Sequence, residues 1–240
     1  MTIESPPPDW YRPLASHLKE AYLKYSFTYG TAQEVEFLFE ALELQQGMRL
    51  LDVGAGPGRH AVEFAKRGID VVAIDISPEF AAIARTRATE AGVAVSVFEM
   101  DARRLPFENE FDAVMSVCEG AFGLAVDDLA ILRGMTRALR SGRRLAVCAI
   151  NVFYVLKHMR ESGEFDPATM LFKETMRVKG AKGDEQFEMW NSCFTPRELE
   201  WIANGAGIDP EGVYGISPGE YAKTTPSFDH PELLLLARKP

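Results

Sequence analysis

Short apolar runs recur along the first two thirds of this chain, and each is followed by a turn and then by a segment with helical spacing. Residues 49–53, 71–75, 93–99, 111–117 and 145–150 are compact, apolar and rich in β-branched side chains, as buried strands are. Residues 60–67, 78–91 and 127–140 place apolar side chains at helical intervals. Ser77 stands before Pro78 as a helix cap with proline at the first helical position. Regular β-α alternation predicts an α/β fold, a parallel sheet with helices on both faces. Right-handed crossovers then bring the loops after the strands to one edge, where ligands bind.

The pattern changes toward the C-terminus. Thr195-Pro196-Arg197-Glu198 reads as a capping box opening a helix to about Asn204, with Gly205 and Gly207 ending it. Residues 209–216 and 232–238 read as strands with no crossover helix between them, so they should pair antiparallel. The expected architecture is Rossmann-like: a seven-stranded, mostly parallel sheet with an antiparallel last strand. Two segments fall outside it. Residues 1–47 hold an amphipathic run at 14–25 and a second capping box, Thr31-Ala32-Gln33-Glu34. Residues 151–194 begin as a helix with Val152, Phe153, Val155, Leu156 and Met159 on one face. They then alternate at 171–178 and 185–193 around Gly180-Ala181-Lys182-Gly183, as a hairpin does. The expected division is a helical lid (1–47), a cofactor-binding core (48–150), an insertion over the substrate site (151–194) and a segment completing the sheet (195–240).

Composition narrows the class. The hydrophobic fraction of 47% and charged fraction of 25% are those of an ordinary globule. No apolar run approaches the roughly 18 residues that span a bilayer. The proline-rich first ten residues do not read as a signal peptide. Cys118, Cys148 and Cys193 are too few and too scattered for a disulfide framework or a CxxC zinc site, so no metal is expected and a reducing cytoplasm is. A formal charge of -9 speaks against a nucleic-acid backbone as partner and favours a small molecule. Arg140, Arg143 and Arg144, around Ser141-Gly142, read as a solvated turn.

The chemistry gathers in Leu50-Leu51-Asp52-Val53-Gly54-Ala55-Gly56-Pro57-Gly58, a strand running into a turn of alternate glycines. Such a turn lets a ligand press against backbone. No GK[ST] follows, which excludes a P-loop. The dinucleotide pattern G-x-G-x-x-G fails because Arg59 stands at its third glycine. Asp52, inside the strand end, is poorly placed for a pyrophosphate and suits a cationic ligand. Asp75, ending the second strand, can accept both hydroxyls of a ribose, and Ile76 can lie on an adenine face.

With these spacings, and with Met100-Asp101-Ala102-Arg103-Arg104-Leu105-Pro106-Phe107 before Phe111-Asp112, the sequence resembles the class I S-adenosylmethionine-dependent methyltransferases from about Thr31 to Pro240. The resemblance implies S-adenosylmethionine as cofactor, with S-adenosylhomocysteine as product. It puts Asp52, Gly54, Gly56 and Gly58 at the methionine and ribose end. It puts Asp75 and Ile76 at the ribose and adenine, and Asp101 and the Ala102 N–H at the adenine edge. The loop opening at Cys118 would lie beside the reactive methyl. That loop, Cys118-Glu119-Gly120-Ala121-Phe122-Gly123, carries neither motif of the DNA methyltransferases, in line with a small-molecule acceptor. In many relatives the N-terminal segment gives a tyrosine to the cofactor carboxylate, a role Tyr29 or Tyr25 would take here.

Methyl transfer from a sulfonium needs positioning above all, and a base only if the acceptor arrives protonated. Candidates are His158 and Tyr154, spaced with Asn151 on the polar face of the helix after the fifth strand, and Glu119. Alternatives are a non-catalytic cofactor-binding scaffold and, against Arg59 and the Asp101 segment, a nicotinamide-dependent reductase. A homodimer through an edge of the insertion is a further expectation.

Overall fold

In the computed structural model, residues 3–7, 9–124, 127–180 and 183–240 are described. The parallel strands are β1 (Arg49–Val53), β2 (Asp70–Asp75), β3 (Val95–Glu99), β4 (Phe111–Ser116) and β5 (Leu139–Asn151). They lie in the order β3-β2-β1-β4-β5, with Leu51 opposite Val72 on one side and Val114 on the other. β9 (Asp209–Ile216) and β10 (Glu232–Arg238) complete the sheet, β10 running antiparallel to both β5 and β9. This is the mostly parallel sheet with a reversed last strand that the alternation predicts.

Alternate side chains sort onto two faces, as the period of a strand requires. Leu50, Val71, Ala73, Ala113, Met115 and Cys148 share one buried layer. Against it pack α2 (Thr31–Ala41), α3 (Arg59–Lys66) and α4 (Pro78–Glu90), through Leu38, Phe64 and Ala84. Leu51, Val53, Val72, Ile74, Val114 and Val147 form the opposite layer, under α5 (Asp128–Ala138). Both faces are buried, so the strands read as unbroken apolar runs. Asp52 falls on the Leu50 face, an acid in an apolar row.

Local signals at the helix ends fare unequally. Ser77 Oγ accepts from the Phe80 N–H at 3.2 Å, capping α4 as expected. The Thr195 capping box closes both of its bonds at the start of α7 (Pro196–Gly205). The Thr31 box does not form. Gly30 precedes α2, Thr31 Oγ1 donates to the Thr28 carbonyl, and Glu34 turns inward to buried partners. The stronger charge-assisted bonds win the glutamate. Arg140 and Arg144 lie in β5, which starts earlier than expected, and pair with Asp112 and Glu211.

The insertion differs in detail. Its opening helix is only α6 (Val152–Tyr154), continued by a wide turn at Val155–Met159. An unpredicted strand, β6 (Gly163–Asp166), pairs with β7 (Leu171–Gly180). β7 pairs with β8 (Gly183–Phe194) in the expected hairpin, whose tip residues 181–182 lie outside the described residues. The end of β8 joins β5 at Ile150 and Asn151, making one continuous sheet. The N-terminal segment forms α1 (Tyr11–Leu18), whose Ala15 and Leu18 pack on Phe80, Ile83 and Val178. It thus touches both core and insertion. No described helix is long and apolar enough to cross a membrane.

Candidate active site

The turn after β1 is held to the sheet by the Gly54 and Ala55 N–H groups, both donating to the Ile74 carbonyl at 2.9 Å. Gly54 has φ +76°, and a Cβ there would lie 2.1 Å from the Gly120 carbonyl carbon. The loops after β1 and β4 therefore touch backbone to backbone. Gly56, at φ +54°, has only open space where a Cβ would be, and its N–H donates to Asp75 Oδ2 at 2.8 Å. Gly58 opens α3 and packs against Ala84 of α4; it lines neither of the cavities described below.

Two adjoining cavities lie over the carboxyl ends of the strands. The smaller, about 80 Å³, surrounds the glycine turn and includes Asp52, Arg59 and His60. The larger, about 510 Å³, extends under the N-terminal segment and the insertion. Tyr22, Gly54, Asp75, Cys118 and Glu119 border both.

Asp52 is buried, and its Oδ2 has no hydrogen-bond partner. Burial pushes its carboxyl up to about 7, with Arg59 opposing and Asp75 adding to the shift. Arg59 is also buried. Its Nη1 donates to Glu34 Oε2 at 2.5 Å and to Thr31 Oγ1 at 2.7 Å, while Nη2 has no partner. His60 Nε2 lies 2.7 Å from the same Glu34 oxygen. Burial holds His60 down at about 4, so it is neutral and Nε2–H donates. Glu34 Oε1 accepts from the Gly219 N–H. Burial works to raise the Glu34 carboxyl, but the bond from His60 and the charge of Arg59 prevail and lower it. Cys118 Sγ comes within reach of Glu34 and His60. Arg59 already neutralises the carboxylate that a metal would require, so this trio is better matched to holding the guanidinium.

Asp52 and Arg59, each with one orphaned buried polar atom (Oδ2 and Nη2), thus line one small cavity beside a bare glycine turn. That donor and acceptor set fits the zwitterionic end of an amino acid. Asp75 follows at the next strand end, accepting from the Gly56 and Ser77 N–H groups, both at 2.8 Å. Burial lifts it to about 6 against those bonds. Ile76 lines the larger cavity beside it. Asp101 caps the short turn at Ala102–Arg104 and binds the Arg103 guanidinium, whose Nη2 continues to Asp9 at 2.9 Å. The bond from Arg103 holds Asp101 below the usual carboxylate range. Met100 and Ala102 line the cavity with it.

Past the glycine contact, Cys118 and Glu119 both have positive φ, 52° and 53°, in a strained turn at the end of β4. Cys118 Sγ lies 3.1 Å from the Tyr221 hydroxyl. Burial and then the charge of Glu174 push Glu119 up to about 7. Tyr154 lines the larger cavity. His158 does not: it is exposed and bonded to Asp229 at 2.8 Å, because the wide turn after Tyr154 carries it outward. Asn151 serves structure, donating to the Ser227 and His230 carbonyls. Tyr29 is 74% exposed and donates to the Lys24 carbonyl, away from both cavities. Tyr25 lines the larger cavity, but Tyr22 is the tyrosine that borders both.

Sequence reasoning missed Arg59, Tyr22, Glu174 and Glu232 as site residues. Arg59 counted only as a break in a dinucleotide pattern, and its partner Glu34 looked like part of a helix cap. Tyr22 was one of several aromatics at helical spacing. Glu232 precedes a run of four leucines, where an acid at a strand start is the available signal.

Residues 50–142 match a family model described as a methyltransferase domain. The chain is similar to the ubiquinone biosynthesis O-methyltransferase of Xanthomonas euvesicatoria, 34% identical over 185 residues, covering 76% of this chain and 71% of that protein. An uncharacterized protein of Mycobacterium tuberculosis is 34% identical over 111 residues, or 46% of this chain; the match spans only 40% of that relative's length. In fold, an S-adenosylmethionine-dependent methyltransferase from Clostridium acetobutylicum superposes with a TM-score of 0.69 at 14% identity, covering 92% of this chain and 95% of that one. The chain belongs to the class I S-adenosylmethionine-dependent methyltransferases, and S-adenosylmethionine is the cofactor of its fold and motifs.

Proposed function

We propose that this protein transfers the methyl group of S-adenosylmethionine to a small-molecule acceptor enclosed in the larger cavity. The observation that carries the reading is the pair of unpartnered atoms on Asp52 and Arg59, set in a pocket that opens into a roofed, largely apolar chamber. When bound, the cofactor supplies a methyl on a cationic sulfur. An acceptor atom held in line with it would take that methyl carbon, the electron pair of the broken carbon–sulfur bond remaining on sulfur.

The chain's own residues do the rest by placement. Asp52 would hold the amino-acid ammonium and Arg59 its carboxylate, with Tyr22 bordering that end. Asp75 would accept the ribose hydroxyls, with Ile76 available to the adenine face and Asp101 with the Ala102 N–H to its edge. Gly54 and Gly56 leave backbone bare for the close approach. Cys118 and Glu119 stand where the two cavities meet, the place the reactive methyl would take. Glu119, near neutrality, is the base for an acceptor that arrives protonated. Tyr154 lines the acceptor side, and the segment from Trp10 to Phe27 together with β7 and β8 roofs the chamber and excludes water.

Calorimetric titration with S-adenosylmethionine and S-adenosylhomocysteine tests this. The wild type should bind both, and Asp75→Ala should bind at least about tenfold more weakly, the loss expected for a buried charge-assisted contact. No binding by the wild type, or undiminished binding by Asp75→Ala, overturns it.

A further inference from the structure

Three carboxylates on separate elements line the larger cavity: Glu119 in the loop after β4, Glu174 on β7 and Glu232 at the start of β10. None of the three forms an ion pair among the described residues. Among the described residues no lysine lines the cavity, and the two arginines that do are committed elsewhere, Arg103 to Asp101 and Asp9, Arg177 to Asp184. Glu232 is 6% exposed, and its Oε2 has no hydrogen-bond partner. A buried carboxylate oxygen without a partner is costly unless a ligand supplies one.

Resting on the cofactor assignment above, we infer that the acceptor is a cationic amine carrying an apolar group, its ammonium held by Glu232, Glu174 and Glu119. The sulfonium answers at most one of these charges, which leaves the site matched to a second cation. Tyr154 and Phe172 line the same cavity, aromatic surface that suits both an ammonium and an apolar substituent. The chemistry agrees. An ammonium nitrogen has no lone pair until it gives up one proton, and a carboxylate taking that proton becomes a neutral acid. Burial raises all three carboxyls, and like charge adds to it at two of them: Glu174 on Glu119, raised to about 7, and Glu119 on Glu232, raised to about 8. Acids so poised exchange protons near neutral pH. A phenol or quinol acceptor would meet like-charged walls once ionised.

The test is calorimetry on the full chain saturated with S-adenosylhomocysteine. The probes are 2-phenylethylamine, its near-isostere 2-phenylethanol, and catechol. The amine should bind at least tenfold more tightly than the alcohol or catechol, and Glu232→Gln should reduce that preference at least fivefold. Glu174→Gln gives a second reading should the first variant fold poorly, and an unchanged S-adenosylhomocysteine affinity certifies the fold of each. Equal or tighter binding of the neutral probes, absent binding of the amine, or a preference untouched in both variants overturns the inference while the cofactor reading stands. Failure of S-adenosylhomocysteine to bind the wild type overturns both.

Discussion

Asp52 and Arg59 show how far single residues announce themselves. Asp52, Asp75 and Asp101 were legible because each ends a strand in a fixed order, and strand ends define the ligand edge of such a sheet. Arg59 was not, because its meaning depends on Glu34, 25 positions away on another helix, and on an orphaned nitrogen visible only in three dimensions. Two outcomes follow at this scale. The Asp52 carboxyl, raised to about 7, is charged above that pH and protonated below it. An ammonium prefers the charged form, so S-adenosylhomocysteine affinity should fall by about tenfold between pH 7.5 and 5.5, following the proton linkage. Asp52→Asn should bind weakly at both pH values and lose most of that slope; an equal slope in the variant would assign it elsewhere, with Asp75 the nearest other titrating group. Arg59→Met should destabilise the fold by about 3 kcal/mol or more, because it leaves Glu34 buried without its cation. Urea unfolding measures this, and a loss below about 1 kcal/mol would contradict the pairing.

Most helices and strands of the core were readable almost to their ends, β5 with its early start at Leu139 being the exception, since a sheet buried on both faces and helices at their own period leave distinct patterns. Failures cluster where tertiary partners compete with local chemistry. Thr31-Ala32-Gln33-Glu34 has the same capping letters as Thr195-Pro196-Arg197-Glu198, yet only the second caps its helix, because Glu34 finds Arg59 and His60. The helix after β5 was read too long, and His158 on its polar face was taken as a candidate base, because the wide turn at Val155–Met159 leaves no mark in the apolar spacing. β6 was missed because four residues are too few to show alternation. The backbone contact between the loops after β1 and β4 makes its own prediction. Gly54→Ala forces a Cβ to 2.1 Å from backbone at a positive φ. It should cost about 3 kcal/mol or more, or prevent folding altogether, as thermal unfolding will report; a shift within about 1 °C would show that the two loops separate freely.

Across the whole molecule, core, N-terminal segment and insertion meet around one chamber. α1 packs on α4 and β7 together, Trp10 lies against Trp190, and Arg103 ties Asp101 to Asp9. A ligand filling that chamber should therefore stabilise the chain as a unit. At a hundredfold excess over its dissociation constant, S-adenosylhomocysteine should add about 2.7 kcal/mol, or roughly 5–10 °C in Tm for a domain of this size. Hydrogen exchange should slow in α1 and β7 as well as in the glycine turn. Protection confined to the turn would mean that the lid and roof do not close over the cofactor.

On this proposal the cleft beside β1 holds the amino-acid end of S-adenosylmethionine between Asp52 and Arg59 and points the reactive sulfur into the larger chamber, toward its carboxylates. A crystal structure with S-adenosylhomocysteine tests it most directly. The ligand ammonium should lie on the Asp52 side and the carboxylate within about 3.2 Å of Arg59 Nη2. The ribose should lie on Asp75, with the sulfur facing Glu119. A ligand with its carboxylate away from Arg59, or its sulfur turned from Glu119, would contradict it.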